Sequence, residues 1–371
     1  MQEQKKHIVF FTPTLNKTGS EIVLMHLLPF AVELFDVTLI TKYKGELYNQ
    51  LPSGVKKHYL YNKQFGGFFS KLTNKIRNKF VVPSILKQHS ATTWYINTIM
   101  LGDILQYAKA NNVKTIVHLH ELQQMYSLLT KEDIQTLVDY PVGIIANSIA
   151  SANVVKEYGR TKPVQIVYPS LDFSKIKITK ADLRNSIGIK PSEFVWLMSG
   201  TLDANKNPFL FVDIAKILKE KANNFKMLWL GNKAGNSAID VEFKNYIKKQ
   251  NCEDCVVWVN EVGDNYYNYF SLANGFVLTS LFESFSLVTL EALYLGLPVV
   301  ANDCIGVNEI LQDKYGYVVK QKNSADEMAT KMLQYMQGEL KVDKEVLKQR
   351  ALEFNNDEIG KHWQTCLKEL I

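Results

Sequence analysis

Short runs that are apolar almost throughout punctuate this chain, and a helix-like stretch follows nearly every one. In the first half they are "HIVFFTP" then "SEIVLMHLLPFAVELF", "TWYINT" then "GDILQYAKAN", "KTIVHLH", and "VGIIANS" then "IASANVVKEYG". A strand with one wet face alternates apolar and polar residues, whereas these runs stay apolar and must be covered on both faces. Amphipathic helices between such strands argue for parallel sheets with crossovers on either side. After "VQIVYPS" the segment "LDFSKIKITKADLRNSIGIKPSE" loses strand character and gains charge, which places a domain junction in it. A second series then begins: "FVWLMSG", the helix "PFLFVDIAKILKEK", "FKMLWLG", a helix over 238–249, "CVVWVN", "GFVLTS", the helix "FSLVTLEALYLG", "PVVAND" and "YGYVV". The expectation is an α/β chain of two Rossmann-like doubly wound domains, one over 1–175 and the other over 176–355. Residues 356–371 read as a C-terminal helix, with the N-terminal domain as its candidate packing partner. Doubly wound sheets bind ligands outside the carboxyl ends of their strands, so the cleft between the domains is the expected site.

At 371 residues and 46% hydrophobic, the chain has enough apolar content for two cores. A formal charge of +6 is mild for that length and gives no reason to expect a nucleic-acid partner. The cysteines, Cys252, Cys255, Cys304 and Cys366, are too few for a disulfide framework, and a lone Cys-x-x-Cys is a poor zinc site. A reducing, cytoplasmic setting fits this usage. The start, "MQEQKKHIVFFTP", has an apolar stretch too short for a signal peptide, and no run approaches the ~18 apolar residues of a membrane span.

Chemistry concentrates in "LFESFSLVTLEALYLGLPVVAND", residues 281–303, where two carboxylates stand eight residues apart in a stretch built for an interior. The spacing reads as a strand, a loop carrying Glu283, and a helix with Ser284 as its N-cap. The first-turn amides of Phe285, Ser286, Leu287 and Val288 would then lack helical acceptors and sit at the positive end of the helix dipole, which suits a phosphate or sugar hydroxyls. Glu291, between Leu290 and Ala292, would be costly if buried alone, and hydrogen bonds from paired ribose hydroxyls would compensate. Blander readings stand beside these: an exposed loop acid for Glu283 and a paired core carboxylate for Glu291.

These residues also resemble a family. "ESFSLVTLE" is similar to the E-x7-E motif of retaining family 4 glycosyltransferases (glycosyl transferases group 1) of the GT-B fold, and "EALYLGLPVVAND" resembles its continuation. In the same order, "TGSE" at 18–21 resembles the family's N-terminal Gly-rich turn, "HLHE" at 118–121 its active-site histidine strand, and "GTLDANK" at 200–206 its G-R-L-x-x-x-K segment. The resemblance runs from about residue 7 to 320 and implies two Rossmann-like domains facing across an interdomain cleft. It further implies that Glu283 holds donor-sugar hydroxyls, Glu291 the nucleotide ribose, and Lys206 the diphosphate. Gly19 would admit the diphosphate to the backbone, and His120 would sit by the anomeric carbon. Three positions depart from the pattern: Thr201 replaces the usual Arg, Thr18 a glycine, and Ser286 a helix-start glycine. Lys206 and Gly19 also have ordinary readings, as an exposed lysine and a turn glycine. His118, deeper on the same strand face as His120, reads as a packed core histidine.

The activity implied is retaining transfer of a sugar from a UDP- or GDP-sugar to a glycan or lipid-linked acceptor, in cell-surface polysaccharide synthesis. No cofactor is expected, and no metal, since no two aspartates form the Asp-x-Asp by which metal-dependent glycosyltransferases of the other common fold hold their cation. A nucleotide-sugar epimerase on the same scaffold and a catalytically silent sugar-nucleotide-binding subunit are the alternatives. Finally, no acidic residue lies between Glu46 and Asp103, and "FGGFFSKLTNKIRNKF" sets Phe65, Phe69, Leu72, Ile76 and Phe80 at helical spacing among Lys71, Lys75, Arg77 and Lys79. Residues 65–80 therefore read either as a basic amphipathic helix docking on the anionic inner face of a membrane or as a core helix with a solvated basic face.

Overall fold

The computed structural model describes residues 5–371 apart from 17, 62–73, 75, 76, 180–182, 234, 236, 237 and 261. The chain divides into two units, Met1–Ser170 with Asn356–Ile371, and Leu171–Asn355.

The first unit is built on a seven-stranded sheet: β1 (His7–Thr12), β2 (Asp36–Thr41), β3 (Val55–Tyr59), β4 (Thr93–Ile96), β5 (Thr115–Leu119), β6 (Gly143–Ala146) and β7 (Val164–Ile166). Its strand order is β3-β2-β1-β4-β5-β6-β7, and every pair is parallel. Parallel pairing explains the continuous apolar runs, because the pleat sends alternate side chains to two separate cores. Val9 and Phe11 join Trp94, Ile96 and Val117 on one face, whereas Ile8 and Phe10 join Val37, Leu39 and Tyr95 on the other. The C-terminal helix, Asn356–Leu370, lies on that second face beside the helix Gly19–Leu34 and contributes Ile359, Trp363, Cys366 and Leu367 to its core. Gly360 lets the two helices approach, since a Cβ there would come within 2.4 Å of the Phe30 ring.

The second unit repeats the plan with β8 (Phe194–Ser199), β9 (Phe225–Leu230), β10 (Val256–Val259), β11 (Gly275–Leu278), β12 (Val299–Ala301) and β13 (Tyr317–Val318), in the order β10-β9-β8-β11-β12-β13. Both sheets therefore reverse their winding beside their first strand, between β1 and β4 and between β8 and β11. Such a switch point opens a crevice at the carboxyl ends of the two strands that flank it. Trp196 and Trp229 are fully buried, and Trp229 packs edge-on against Phe211 at 5.3 Å.

Most of the basic stretch over 65–80, including Phe65, Phe69, Lys71 and Lys75, lies outside the described residues. Of the remainder, Arg77–Val81 forms a single π-helical turn. Arg77 donates to the carbonyls of Leu60 and Tyr59 at 2.7 and 2.9 Å, so its guanidinium is engaged within the unit. Phe80 is 63% exposed. No helix among the described residues is long and apolar enough to cross a membrane.

Ending the chain at residue 355 should uncover the core face that Ile359, Trp363 and Leu367 fill. Burial of ~1.5–3 kcal/mol per large side chain puts the loss to the first unit at roughly 5 kcal/mol or more. Calorimetry of the truncated chain should show the second unit's transition intact and the first unit's lowered or absent. An unchanged first-unit transition would mean that the helix contributes little.

Candidate functional site

In the second unit the switch point gathers the sequence-expected residues at the carboxyl ends of β8 and β11. Loop 200–206 leaves β8, loop 279–283 leaves β11, and hydrogen bonds to backbone carbonyls stitch the two together. Leu281 N–H donates to the Asn205 carbonyl at 2.7 Å, Asn205 Nδ2 to the Phe282 carbonyl at 3.0 Å, and Thr279 Oγ1 to the Lys206 carbonyl at 2.7 Å. This stitching brings Lys206 and Glu283, 77 residues apart, into an ion pair at 2.5 Å. Burial pulls the Lys206 ammonium toward neutrality, but the adjacent Glu283 carboxylate outweighs it and the pKa is raised. Lys206 is thus a cation, neutralised within the protein by Glu283. Neither residue is an ordinary exposed side chain, since only 19% and 14% of them reach the surface.

The glycines that shape these loops are partly ones the sequence did not mark out. Gly231, at the end of β9, takes φ +141°, and a Cβ there would lie 2.1 Å from the Gly200 carbonyl oxygen, so β8 and β9 can leave the sheet this closely only without a side chain. Thr201, next to Gly200, is exposed and brings no charge.

Glu283 is fixed from its far side by the loop after β12. Its N–H donates to the Cys304 carbonyl and its carbonyl accepts from Gly306 N–H, both at 2.9 Å. Between them Ile305 adopts φ +76°, unfavourable for a β-branched residue and another feature that spacing does not announce.

The helix that follows corrects the sequence reading. It spans Leu287–Tyr294 with Ser286, not Ser284, at the N-cap position. Phe285 is not in the first turn but points inward, 6% exposed, against the Phe354 ring at 5.3 Å. Ser286 is buried and accepts from Thr289 Oγ1 at 2.9 Å. The physical reason is that Ser286 itself takes extended backbone, φ −129° and ψ 94°, after the inward turn that buries Phe285, so the helix begins only beyond it. Of the four expected amides, those of Leu287 and Val288 belong to the first turn.

Glu291, on that helix, is 7% exposed and held by two phenols: Tyr266 donates to one carboxylate oxygen at 2.8 Å and Tyr267 to the other at 2.9 Å. Tyr266 also meets Ser199 Oγ at 2.9 Å. Burial drives the Glu291 pKa up, the two phenols offset only part of this, and it stands at about 7. Tyr266 and Tyr267 were not singled out in the sequence, where "NYYNY" looks like an ordinary aromatic helix.

In the first unit, β1 and β4 flank the switch point. Gly19 begins the helix Gly19–Leu34, and a Cβ added to it would meet nothing within 4 Å. Neither its φ nor its packing within the unit calls for glycine. Glu21, in the same turn, accepts from the hydroxyls of Thr14 and Thr18. His120 follows β5, is 9% exposed, and faces Asn97 Oδ1 through Nε2 at 3.1 Å. Burial lowers its pKa to about 3, so the imidazole is neutral at physiological pH and does not act there as a titrating base. Neighbouring Glu121 accepts from His120 N–H at 2.9 Å and from the Thr98 hydroxyl. Cys252 and Cys255 are free buried thiols whose sulfurs face the carbonyls of Gln250 and Cys252.

The raised pKa of Glu291 has a consequence for stability. The fold binds this proton more tightly than the unfolded chain does, so the contribution is complete below about pH 4.5 and is lost as pH rises through about 7. The shift corresponds to roughly 3 kcal/mol. Urea unfolding at pH 5 and pH 8 should show wild type losing about that much more stability than Glu291→Gln. Equal losses would mean that Glu291 titrates near its ordinary value.

The chain resembles known proteins in sequence and in fold. Residues 179–353 match the model of the family described as glycosyl transferases group 1. The chain is 29% identical over 189 residues to the D-inositol 3-phosphate glycosyltransferase of Paenarthrobacter aurescens, a match covering 49% of this chain and 46% of that protein. It is 22% identical to the amylovoran biosynthesis glycosyltransferase AmsK of Erwinia amylovora, over 94% of this chain and 96% of that one. The first curated relatives are thus matched over less than half of their own length. Among solved structures, Anabaena HepE in complex with UDP superposes with a TM-score of 0.80 at 17% identity, covering 98% of this chain and 100% of that one. The chain thus matches the glycosyl transferases group 1 model over residues 179–353 and has the pair of Rossmann-like domains that defines the GT-B fold.

Proposed function

We propose that the chain is a retaining, metal-independent glycosyltransferase that moves a sugar from a UDP- or GDP-sugar to a glycan or lipid-linked acceptor in the synthesis of a surface polysaccharide. The observation that carries this reading is the Lys206–Glu283 pair at the second sheet's switch point, with Glu291 on the helix that follows. A permanent cation next to a carboxylate matches a diphosphate next to sugar hydroxyls. UDP in the HepE structure and the relatives' sugar-transferring activities support the donor class.

In this reading the acceptor hydroxyl attacks the anomeric carbon from the face on which the nucleotide diphosphate leaves. The C–O bond to the diphosphate breaks as the new C–O bond forms, and the acceptor proton passes to a leaving phosphate oxygen. Negative charge grows on that phosphate. Lys206, the first-turn amides of Leu287 and Val288, and the open backbone at Gly19 stabilise it; removing one such donor costs about 10²-fold to 10³-fold in comparable sites. Glu283 takes the sugar hydroxyls, Glu291 the ribose, and neutral His120 the neighbourhood of the anomeric carbon. Exposed, uncharged Thr201 favours one rival, a silent sugar-nucleotide-binding subunit, which turnover of any donor by the purified chain would eliminate.

Because Glu283 neutralises Lys206 in the free protein, a bound diphosphate must compete with it. Glu283→Gln should therefore tighten binding of free UDP or GDP several-fold in calorimetry, while turnover of the sugar nucleotide falls by about 10²-fold. Weaker nucleotide binding in a folded variant would remove Lys206 from the diphosphate site.

The basic stretch over 65–80 supplies the acceptor side of the reading, docking the chain on an anionic bilayer. Changing Lys71, Lys75 and Lys79 to Glu should abolish co-sedimentation with anionic vesicles at low salt, and neutral vesicles should bind little in either case. Wild-type chain that stays in the supernatant with anionic vesicles would sink this part.

A further inference from the structure

The C-terminal helix reaches the expected active-site histidine through a series of buried polar groups. Trp363, fully buried on that helix, donates its indole N–H to the Tyr95 oxygen at 3.0 Å. The Tyr95 oxygen lies 2.8 Å from His118 Nδ1. Tyr95 has one proton, and burial raises its pKa, so the phenol stays protonated. With the indole supplying its acceptor bond, the phenol proton goes to His118 Nδ1. That nitrogen is then bare, and the His118 proton sits on Nε2.

The same reasoning runs back from the other end. Asn97 Nδ2 donates to the Ser20 carbonyl at 3.0 Å, which fixes the amide's orientation and turns Oδ1 toward His120. His120 Nε2 therefore carries a proton and donates it to Oδ1 at 3.1 Å, and His120 Nδ1 is a bare acceptor. Two nitrogens remain, His118 Nε2 and His120 Nδ1, both buried and both without a partner among the described residues. They are complementary, one a donor and the other an acceptor, and their rings stand 4.1 Å apart between centroids. Burial holds both imidazoles neutral, so each keeps one donor and one acceptor.

We propose that these groups form one directional hydrogen-bond chain, from Trp363 through Tyr95, His118, His120 and Asn97 to the Ser20 carbonyl, which sets the tautomer and orientation of His120. The link between the two histidines closes by a small ring rotation or through one bridging water, since buried complementary groups this close are not left unmade. Trp363, Tyr95 and His118 are then positioning residues. The last sixteen residues of the chain act on the histidine strand and, through Ser20, on the turn that holds Gly19. His118 gains a use that the reading of it as a packed core histidine did not include.

The kinetic part of this inference rests on the proposed transferase activity; the tautomers do not. Long-range ¹H–¹⁵N spectra of the full chain labelled at its seven histidines should show His118 and His120 each protonated at Nε2 with a bare Nδ1. Tyr95→Phe removes one oxygen and keeps the ring, and it should release the His118 tautomer and shift the His120 nitrogens as well. Trp363→Phe should shift them in the same sense by less. In both variants kcat should fall about tenfold, with the donor KM within about twofold.

A His118 proton on Nδ1 in the wild type overturns the chain, and this holds even if no variant folds. Unmoved His120 resonances in a folded Tyr95→Phe protein overturn it too. Nε2 tautomers in a chain that transfers no sugar would leave the hydrogen-bond chain standing and bring down the transferase reading instead.

Discussion

Parallel strands buried on both faces leave a protein few places for polar chemistry. Each strand's side chains are committed to one of two cores, so charged and hydrogen-bonding groups are admitted where strands end and their backbone ladders stop. In both units the residues expected at the site follow this rule, whereas Tyr95 and His118 lie inside β4 and β5. Lys206 and Glu283 leave the ends of β8 and β11, and His120 and Asn97 leave the ends of β5 and β4. In each sheet the winding reverses beside the first strand, which is where a doubly wound sheet opens a crevice.

A charge in such a place needs a partner, and the partners differ in kind. Lys206 and Glu283 answer each other, which keeps the lysine cationic although only 19% of its side chain reaches the surface. Among the described residues no cation is paired with Glu291. Two phenols hold it, and because phenols compensate less than a cation does, its proton is retained to about pH 7. One carboxylate of the E-x7-E pair thus sits in an ion pair and the other is poised by burial, a difference that eight residues of spacing do not convey. On the histidine strand the solution is neutral throughout, an array of hydrogen bonds whose direction is imposed from its two ends.

Much of the architecture was legible. Continuous apolar runs and the helices between them are direct consequences of burial on two faces, and burial is written in composition over windows of several residues. Four short motifs in family order pointed to Gly19, His120, Lys206, Glu283 and Glu291. The helix start was misjudged, because Ser284 is as good a cap chemically as Ser286 and only the burial of Phe285 against Phe354 decides between them. Tyr266, Tyr267 and Tyr95 escaped notice for a similar reason. An aromatic residue in a helix or strand carries no sign of whether its hydroxyl ends in solvent or on a buried carboxylate.

What the amino-acid order determined by itself was local: where strands and helices fall, which faces are apolar, and which loops carry glycine and charge. Those properties depend on neighbours within about ten residues. What only the tertiary structure decided was pairing across long separations: Lys206 with Glu283, Tyr266 and Tyr267 with Glu291, and Trp363 with Tyr95, 268 residues apart. Charge state, tautomer and proton affinity follow from those pairings and from the desolvation around them. They belong to the fold because an isolated residue type has one ordinary pKa, and it is the burial and the partner that move it.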